Sequence, residues 1–191
     1  MSGVERERFE KYLKLLIDWS KTYRLVGSTE PRWIIERLLL DSLLFLRAVP
    51  DLGGALLDLG SGAGLPGLPL RIVLPGLELT MVEARRRRAS FLSTVVRELG
   101  LERTTVVSER AESAVKRLAH SFDFVVMRCA GSPDDLMPLA SSFVRSGGAV
   151  VASGPPRPRP LRYGEWVAVE GVRPGEIRRF AVYRPGQVAS V

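Results

Sequence analysis

The chain has 191 residues, 46% of them hydrophobic, and a formal charge of +7. That length suits one doubly wound unit with a small appendage. No apolar run is long enough to span a membrane, the charged start lacks the apolar stretch of a signal peptide, and one cysteine (Cys129) with one histidine (His120) excludes a disulfide framework and a zinc cluster.

A cytoplasmic, metal-free monomer without a membrane contact is therefore expected. Of the 28 basic residues, all but Lys11, Lys14, Lys21 and Lys116 are arginine. Arginine suits bidentate phosphate contact and stacking on bases, so the excess points to a polyanionic partner, although a solvated basic surface accounts for part of it.

Phe9, Tyr12, Leu13, Leu16 and Trp19 recur at helical spacing and predict an amphipathic first helix. Ser28-Thr29-Glu30-Pro31 reads as a cap with proline in the first turn of a second helix, which carries Trp33, Ile34, Leu38, Leu39, Leu43 and Leu44 on its apolar side. Pro50 to Gly54 breaks the pattern. From residue 55, strands alternate with helices, the signature of a mostly parallel sheet. Strands are expected at 55–59, 77–82, 104–107, 122–127 and 149–152, with helices at 85–99, 111–118 and 133–145. The proline-rich run 155–160 should be extended, and strands around 166–169 and 180–183 should close the sheet as a hairpin.

The chemistry concentrates where the first strand ends. Asp58-Leu59-Gly60-Ser61-Gly62-Ala63-Gly64 is a strand tip followed by three glycines on alternate positions, and Pro66-Gly67 leads into a helix. Glycine lets backbone approach a nucleotide-like ligand closely. Glu83, at the tip of the second strand, can accept both hydroxyls of a ribose. Gly62 to Gly67 also fits the dinucleotide pattern G-x-G-x-x-G, a weak signal alone. Asp58 argues against that reading, because a carboxylate beside the turn repels a pyrophosphate, and Pro66 lacks the amide a phosphate wants. S-adenosylmethionine carries an ammonium and a sulfonium and no phosphate, so Asp58 and Glu83 suit it. A methyltransferase is the preferred reading, with a nicotinamide enzyme the weaker choice.

From about Tyr12 to Arg184 the chain resembles the bacterial enzymes that methylate N7 of a guanine in small-subunit ribosomal RNA, the glucose-inhibited division protein B family. The resemblance rests on Asp58 to Gly67 with its Pro-Gly ending and on Trp19 with Lys21. It also rests on Leu40-Asp41-Ser42-Leu43, Arg88 with Phe91-Leu92, Arg110-Ala111-Glu112, and Phe122-Asp123 with Arg128 and Ala130. It implies a Rossmann-like class I methyltransferase: a mostly parallel seven-stranded sheet with helices on both faces. Residues 1–50 would form a helical cap and residues 51–191 the S-adenosylmethionine-binding domain. It further implies cofactor contacts at Gly60, Leu65, Ala111, Glu112 and Arg128, beside Asp58, Ser61, Gly62, Gly64 and Glu83 of the turn and second strand. The expected substrate is ribosomal RNA, free or in the small subunit.

The chain departs from the family at Ser20, Arg24, Val26, Leu38, Ala84, Arg87 and Ser153, most of them positions facing the presumed RNA side. Two other readings therefore stay open: a related methyltransferase with another RNA substrate, and a cofactor-binding RNA-associated protein without turnover.

Methylation at N7 asks mainly for alignment, since the lone pair is free at neutral pH and no proton leaves. Arg128, after the fourth strand, is the residue expected to contact the cofactor's carboxylate or the target base; the plainer alternative is a salt bridge to Asp58 or Asp123. Cys129 lacks the Pro-Cys setting of a covalent cytosine mechanism. Arg85, Arg86 and Arg87 open a helix whose dipole they oppose, a cost that phosphate would offset. With Arg157, Arg159 and Arg162 they are the expected RNA contacts, and a solvated face is the alternative for Arg85 and Arg86. Trp19, Trp33 and Trp166 are expected to pack, and His120 to be solvated.

Overall fold

The computed structural model describes residues 1–128 and 132–186. Seven strands form one sheet in the order β3-β2-β1-β4-β5-β7-β6. They are β1 (Ala55–Leu59), β2 (Glu78–Val82), β3 (Thr104–Val107), β4 (Phe122–Arg128), β5 (Val144–Ser153), β6 (Glu165–Glu170) and β7 (Ile177–Tyr183). The first five run parallel, and β7 runs antiparallel to both β5 and β6.

Consecutive side chains of a strand point to opposite faces, and this period divides the core. Leu56, Val126 and Val151 enter one apolar cluster, while their neighbours Leu57, Val125 and Val150 enter the other. The first cluster is covered by α1 (Gly3–Tyr23), α5 (Gly67–Val73), α6 (Arg86–Glu98) and the second helical stretch. The other is covered by α7 (Ala111–Leu118) and α8 (Pro133–Ser141). Both faces of the central strands are buried, which is why β1 and β4 read as mostly apolar runs rather than alternating ones.

The second helical stretch begins as expected, but the cap is Glu30, whose carboxylate accepts the amides of Arg32 and Trp33. It is not one regular helix. α2 (Pro31–Ile34) passes into a π-helical turn, Ile35–Leu40, then α3 (Asp41–Leu43) and α4 (Phe45–Ala48). The wider turn rotates the later residues, so Leu39 is buried while Leu40 is exposed.

The expected helix over 133–145 and strand over 149–152 need correction. The helix ends at Ser141, and β5 already starts at Val144. Phe143 and Val144 are buried, and Val144 pairs with Phe122 before the ladder shifts to Phe124 opposite Ala149. Gly147 and Gly148 sit inside this bulged strand rather than before it. A side chain at Gly148 would collide with the Asp123 carbonyl.

α1 is fastened to the sheet through a polar contact as well as its apolar stripe. Tyr12, fully buried, donates its hydroxyl to the Ala63 carbonyl at 2.6 Å. Tyr12→Phe keeps the ring but leaves that buried carbonyl unpaired, and is expected to cost roughly 1–3 kcal/mol of stability by urea unfolding. Leu15→Ala, on a half-buried position of the same helix, removes packing without touching the turn and serves as comparison.

Candidate active site

The glycine turn leaves β1 at the carboxyl edge of the sheet, where ligands bind in open α/β folds. Its shape follows from its internal bonds. The Val82 carbonyl accepts the amides of Gly60 and Ser61 at 2.9 and 3.1 Å, and the Ser61 carbonyl accepts those of Gly64 and Leu65. Gly60, Gly62 and Gly64 all have positive φ. Gly64 has a second reason to be glycine, because a Cβ would strike the side chain of Leu68. It serves helix-to-strand packing.

Two acids hold the turn. Glu83, buried, accepts the Gly62 amide at 2.9 Å and the Arg85 amide at 2.8 Å, one on each carboxylate oxygen. Asp58 has no exposed surface, and its Oδ2 accepts the Gly67 amide at 2.9 Å. Its Oδ1 is buried with no hydrogen-bond partner. Burial pushes this carboxyl up to about 7, against the Gly67 amide and Arg128, which lower it, and with Glu83, which raises it.

A cleft of about 270 Å³ opens over the turn. Gly60, Ser61, Gly62, Ala63 and Leu65 form its floor, Leu25, Val26 and Leu38 its apolar wall, and Arg88 and Arg128 its charged side. Of the residues expected here, Gly60, Ser61, Gly62, Leu65 and Arg128 line the cleft. Asp58, Glu83 and Gly64 lie beneath or behind them. Ala111 and Glu112 stand apart from the lining, in the first turn of α7. Cys129 and Ala130 fall outside the described residues.

Arg128 does make a salt bridge, to neither acid considered from sequence. Its Nη2 donates to Asp41 at 3.0 Å and to the Arg37 carbonyl at 3.2 Å. Asp41, itself buried, also accepts from Arg178 Nε at 2.7 Å. One carboxylate thus ties the start of α3 to the end of β4 and to β7. Burial lowers the Arg128 guanidinium from its ordinary value, an effect Asp41 opposes. Asp41 entered the sequence reading only as part of Leu40-Asp41-Ser42-Leu43, and Arg178 was not singled out; only the topology joins them, across 137 positions.

Arg85, Arg86 and Arg87 are exposed beside the N-terminal turn of α6, and Arg87 lies 5.6 Å from the centre of the Tyr23 ring. Arg157, Arg159 and Arg162 are exposed on the segment after β5. Trp166 holds that segment, donating from Nε1 to the Arg159 carbonyl at 2.8 Å, while Asp134 accepts the Arg162 amide. Trp19 packs on Phe91. His120 is exposed, but its Nδ1 lies 3.1 Å from the Val144 carbonyl. Among the described residues no cluster of acids, histidines or cysteines is placed to hold a metal, and no helix is long and apolar enough to cross a membrane.

Strand order, a glycine turn after β1 and a cleft at the carboxyl edge define the Rossmann-like methyltransferase fold. The same fold is seen in the precorrin-6y C5,15-methyltransferase of Geobacter metallireducens (TM-score 0.54, 14% identity, 85% of this chain and 92% of that one). It recurs in TYW2 of P. horikoshii in complex with MeSAdo (TM-score 0.55, 14% identity, 73% and 61%). The sequence profile of the GidB family, rRNA small subunit methyltransferase G, matches residues 5–154, and the chain belongs to that family. Ribosomal RNA small subunit methyltransferase G of Sorangium cellulosum is 41% identical over 160 residues, covering 82% of this chain and 67% of that protein. The Xylella fastidiosa protein of the same name is 40% identical over 141 residues, covering 74% and 65%. These matches span about two thirds of the relatives' length.

Two outcomes are expected. Asp41→Ala leaves two largely buried guanidinium groups unpaired and should cost roughly 3–5 kcal/mol in urea unfolding, with Asp41→Asn costing less. Asp58 binds its proton more tightly in the folded chain than in the unfolded one, from 3.8 to about 7. Its contribution to stability is therefore fully present at low pH and is lost as pH rises through that window. Asp58→Asn can still accept the Gly67 amide but does not titrate. The stability difference between variant and wild type, followed by unfolding from pH 5 to 8, should grow in the variant's favour.

Proposed function

We propose that this chain is an S-adenosylmethionine-dependent methyltransferase acting on N7 of a guanine in small-subunit ribosomal RNA. The observation that carries the reading is the cleft over the glycine turn, with the buried, half-paired carboxylate of Asp58 beneath it. An orphan carboxyl oxygen there suits a ligand whose positive charge would favour its ionised form, and a pyrophosphate would oppose that form, so it favours S-adenosylmethionine over a nicotinamide dinucleotide. When bound, that cofactor supplies an electrophilic methyl group on a sulfonium, which the N7 lone pair can take in line without loss of a proton.

In this reading the chain's own residues bind and orient. Gly60, Ser61, Gly62 and Leu65 offer a floor that admits the ligand to the backbone, and Gly64 keeps α5 close behind it. Glu83 has both oxygens on backbone amides and retains lone pairs for ribose hydroxyls. Ala111 and Glu112 would meet the adenine from the first turn of α7. Arg128 spends Nη2 on Asp41 and Arg37, so Nη1 and Nε remain for the cofactor's carboxylate or the target base. Arg85, Arg86 and Arg87 on one side and Arg157, Arg159 and Arg162 on the other would follow the RNA backbone. Residues 1–50 act as a cap over the 51–191 unit, in a cytoplasmic monomer.

A second reading has its own observation. The cleft wall is apolar at Val26 and Leu38, two of the positions where the chain departs from the family, and a changed wall suits a different RNA base or a binder without turnover.

The deciding experiment is transfer of labelled methyl from S-adenosylmethionine to small ribosomal subunits that lack the family's modification, followed by identification of the labelled base. Label in 7-methylguanine at one site is the expected result. No label, with cofactor binding demonstrated in the same sample, would overturn it in favour of the second reading. Arg128→Ala should lower cofactor affinity or turnover by at least about tenfold, the scale of one charged hydrogen bond.

A further inference from the structure

The cleft shares a wall with a second, strongly basic hollow. Tyr23, Arg24, Leu25 and the four arginines 85–88 enclose about 320 Å³ where the end of α1 meets the start of α6. Leu25 and Arg88 line both this hollow and the cleft. Several arginines elsewhere on the surface are matched with acids: Arg103 with Glu78, Arg117 with Glu109, Arg145 with Asp123, Arg173 with Glu36 and Arg184 with Asp51. Among the described residues, none of the five arginines in the hollow has an acidic partner. The nearby carboxylate of Glu83 has each oxygen on a backbone amide.

Two details of the backbone sharpen the picture. α6 starts with no side chain capping its N-terminus, and its first three residues are arginines, so like charges face the positive end of the helix dipole. Arg24 closes α1 with φ 46° and ψ 56°, the left-handed conformation that glycine or asparagine adopts more easily. That conformation carries a cation without an acidic partner into a hollow of others, a like-charge arrangement that an anion would relieve.

We propose that Arg24 and Arg85–Arg88 seat a backbone phosphate of the RNA, with Leu25 as the partition between that phosphate and the base in the cleft. The inference rests on the RNA reading above and adds to it a fixed anchor. A phosphate held on one side of Leu25 sets the distance at which the attached nucleotide can present its base on the other. Arg88 lies along both spaces and Arg87 is steadied by the Tyr23 ring, so the guanidinium groups form a partly pre-arranged fork for a phosphodiester. Arg24 is one of the residues by which this chain departs from its family, and the hollow gives that departure a use.

The test is fluorescence anisotropy of a labelled single-stranded RNA oligonucleotide over a series of salt concentrations. Wild type is compared with Arg24→Asn, with Arg24→Asn/Arg86→Gln, and with Arg117→Gln as an acid-paired control. Asparagine tolerates the left-handed backbone at position 24, so the variant should fold. S-adenosylhomocysteine binding, measured in parallel by calorimetry, reports an intact cleft. The double variant is expected to bind RNA about tenfold or more weakly, with the slope of log affinity against log salt reduced by about one, while S-adenosylhomocysteine binding and the control are unchanged. Unchanged RNA affinity and slope in the double variant would overturn the proposal, as would an equal loss in the Arg117 control. If RNA binding depends on the hollow but no RNA is methylated, the anchor stands and the enzymatic reading fails. The two failures are therefore separable.

Discussion

Everything at the carboxyl edge depends on how the backbone of one turn is held. Glycines at 60, 62 and 64 have positive φ, a conformation open to them but expensive in entropy, so the turn must be fixed by its surroundings. Three side chains from three elements do this: Tyr12 of α1 on the Ala63 carbonyl, Glu83 beyond β2 on the Gly62 amide, and Asp58 of β1 on the Gly67 amide. Each of these polar groups is itself buried, in a setting where an unmade bond is costly. The turn is therefore rigid for the same reason that the core around it is intolerant of polar loss. Rigidity here is useful, because alignment of reacting atoms is what such a cleft can contribute.

Much of this was legible in the sequence, for definite reasons. The β1 run, the glycine spacing and the acid at position 83 are local signals, and local signals survive without knowledge of the fold. β3 and α7 fall where the sequence predicts them, β3 after the break at Gly100 and α7 on its own short apolar stripe. The helix after β4 and the start of β5 were misplaced because Phe143 and Val144 continue an apolar pattern that suits a helix or a strand equally. What settles them is the pairing of Val144 with Phe122, a contact between distant segments. The π-helical turn left no local signal either. The Asp41–Arg128–Arg178 cluster was invisible for the same reason, since its members come from three separate parts of the chain.

Net charge, by contrast, was legible in amount and illegible in arrangement. A formal +7 says only that positive groups outnumber negative ones. The fold sorts the arginines into those neutralised by a neighbour and those left without one. Exposed pairs such as Arg103 with Glu78 contribute little to stability and are screened by salt. Their consequence is to remove positive charge from most of the surface. Among the arginines without an acidic partner, five gather around the N-terminus of α6 beside the cleft, and three more lie on the 157–162 segment. A field concentrated in this way attracts and orients a polyanion far better than the same charge spread evenly.

The apolar wall of the cleft then takes on a specific meaning. Leu25, Val26 and Leu38 offer a planar base contact area but no hydrogen bonds from their side chains, so they cannot read its edge. A wall of this kind holds whichever base is delivered to it. On the RNA reading, selection would then rest on Arg88 and Arg128 at the charged side of the cleft and on where the nucleotide's backbone is gripped, as is common when RNA is recognised by shape and splayed single strands. The basic hollow shares Leu25 and Arg88 with the cleft, so a phosphate gripped there would lie across one side chain from it. Three positions at which the chain departs from the family it resembles thus lie together: Val26 and Leu38 on the apolar wall of the cleft and Arg24 in the adjoining hollow. On the RNA reading, recognition by this chain would rest more on a phosphate in the hollow than on polar side chains at the apolar wall.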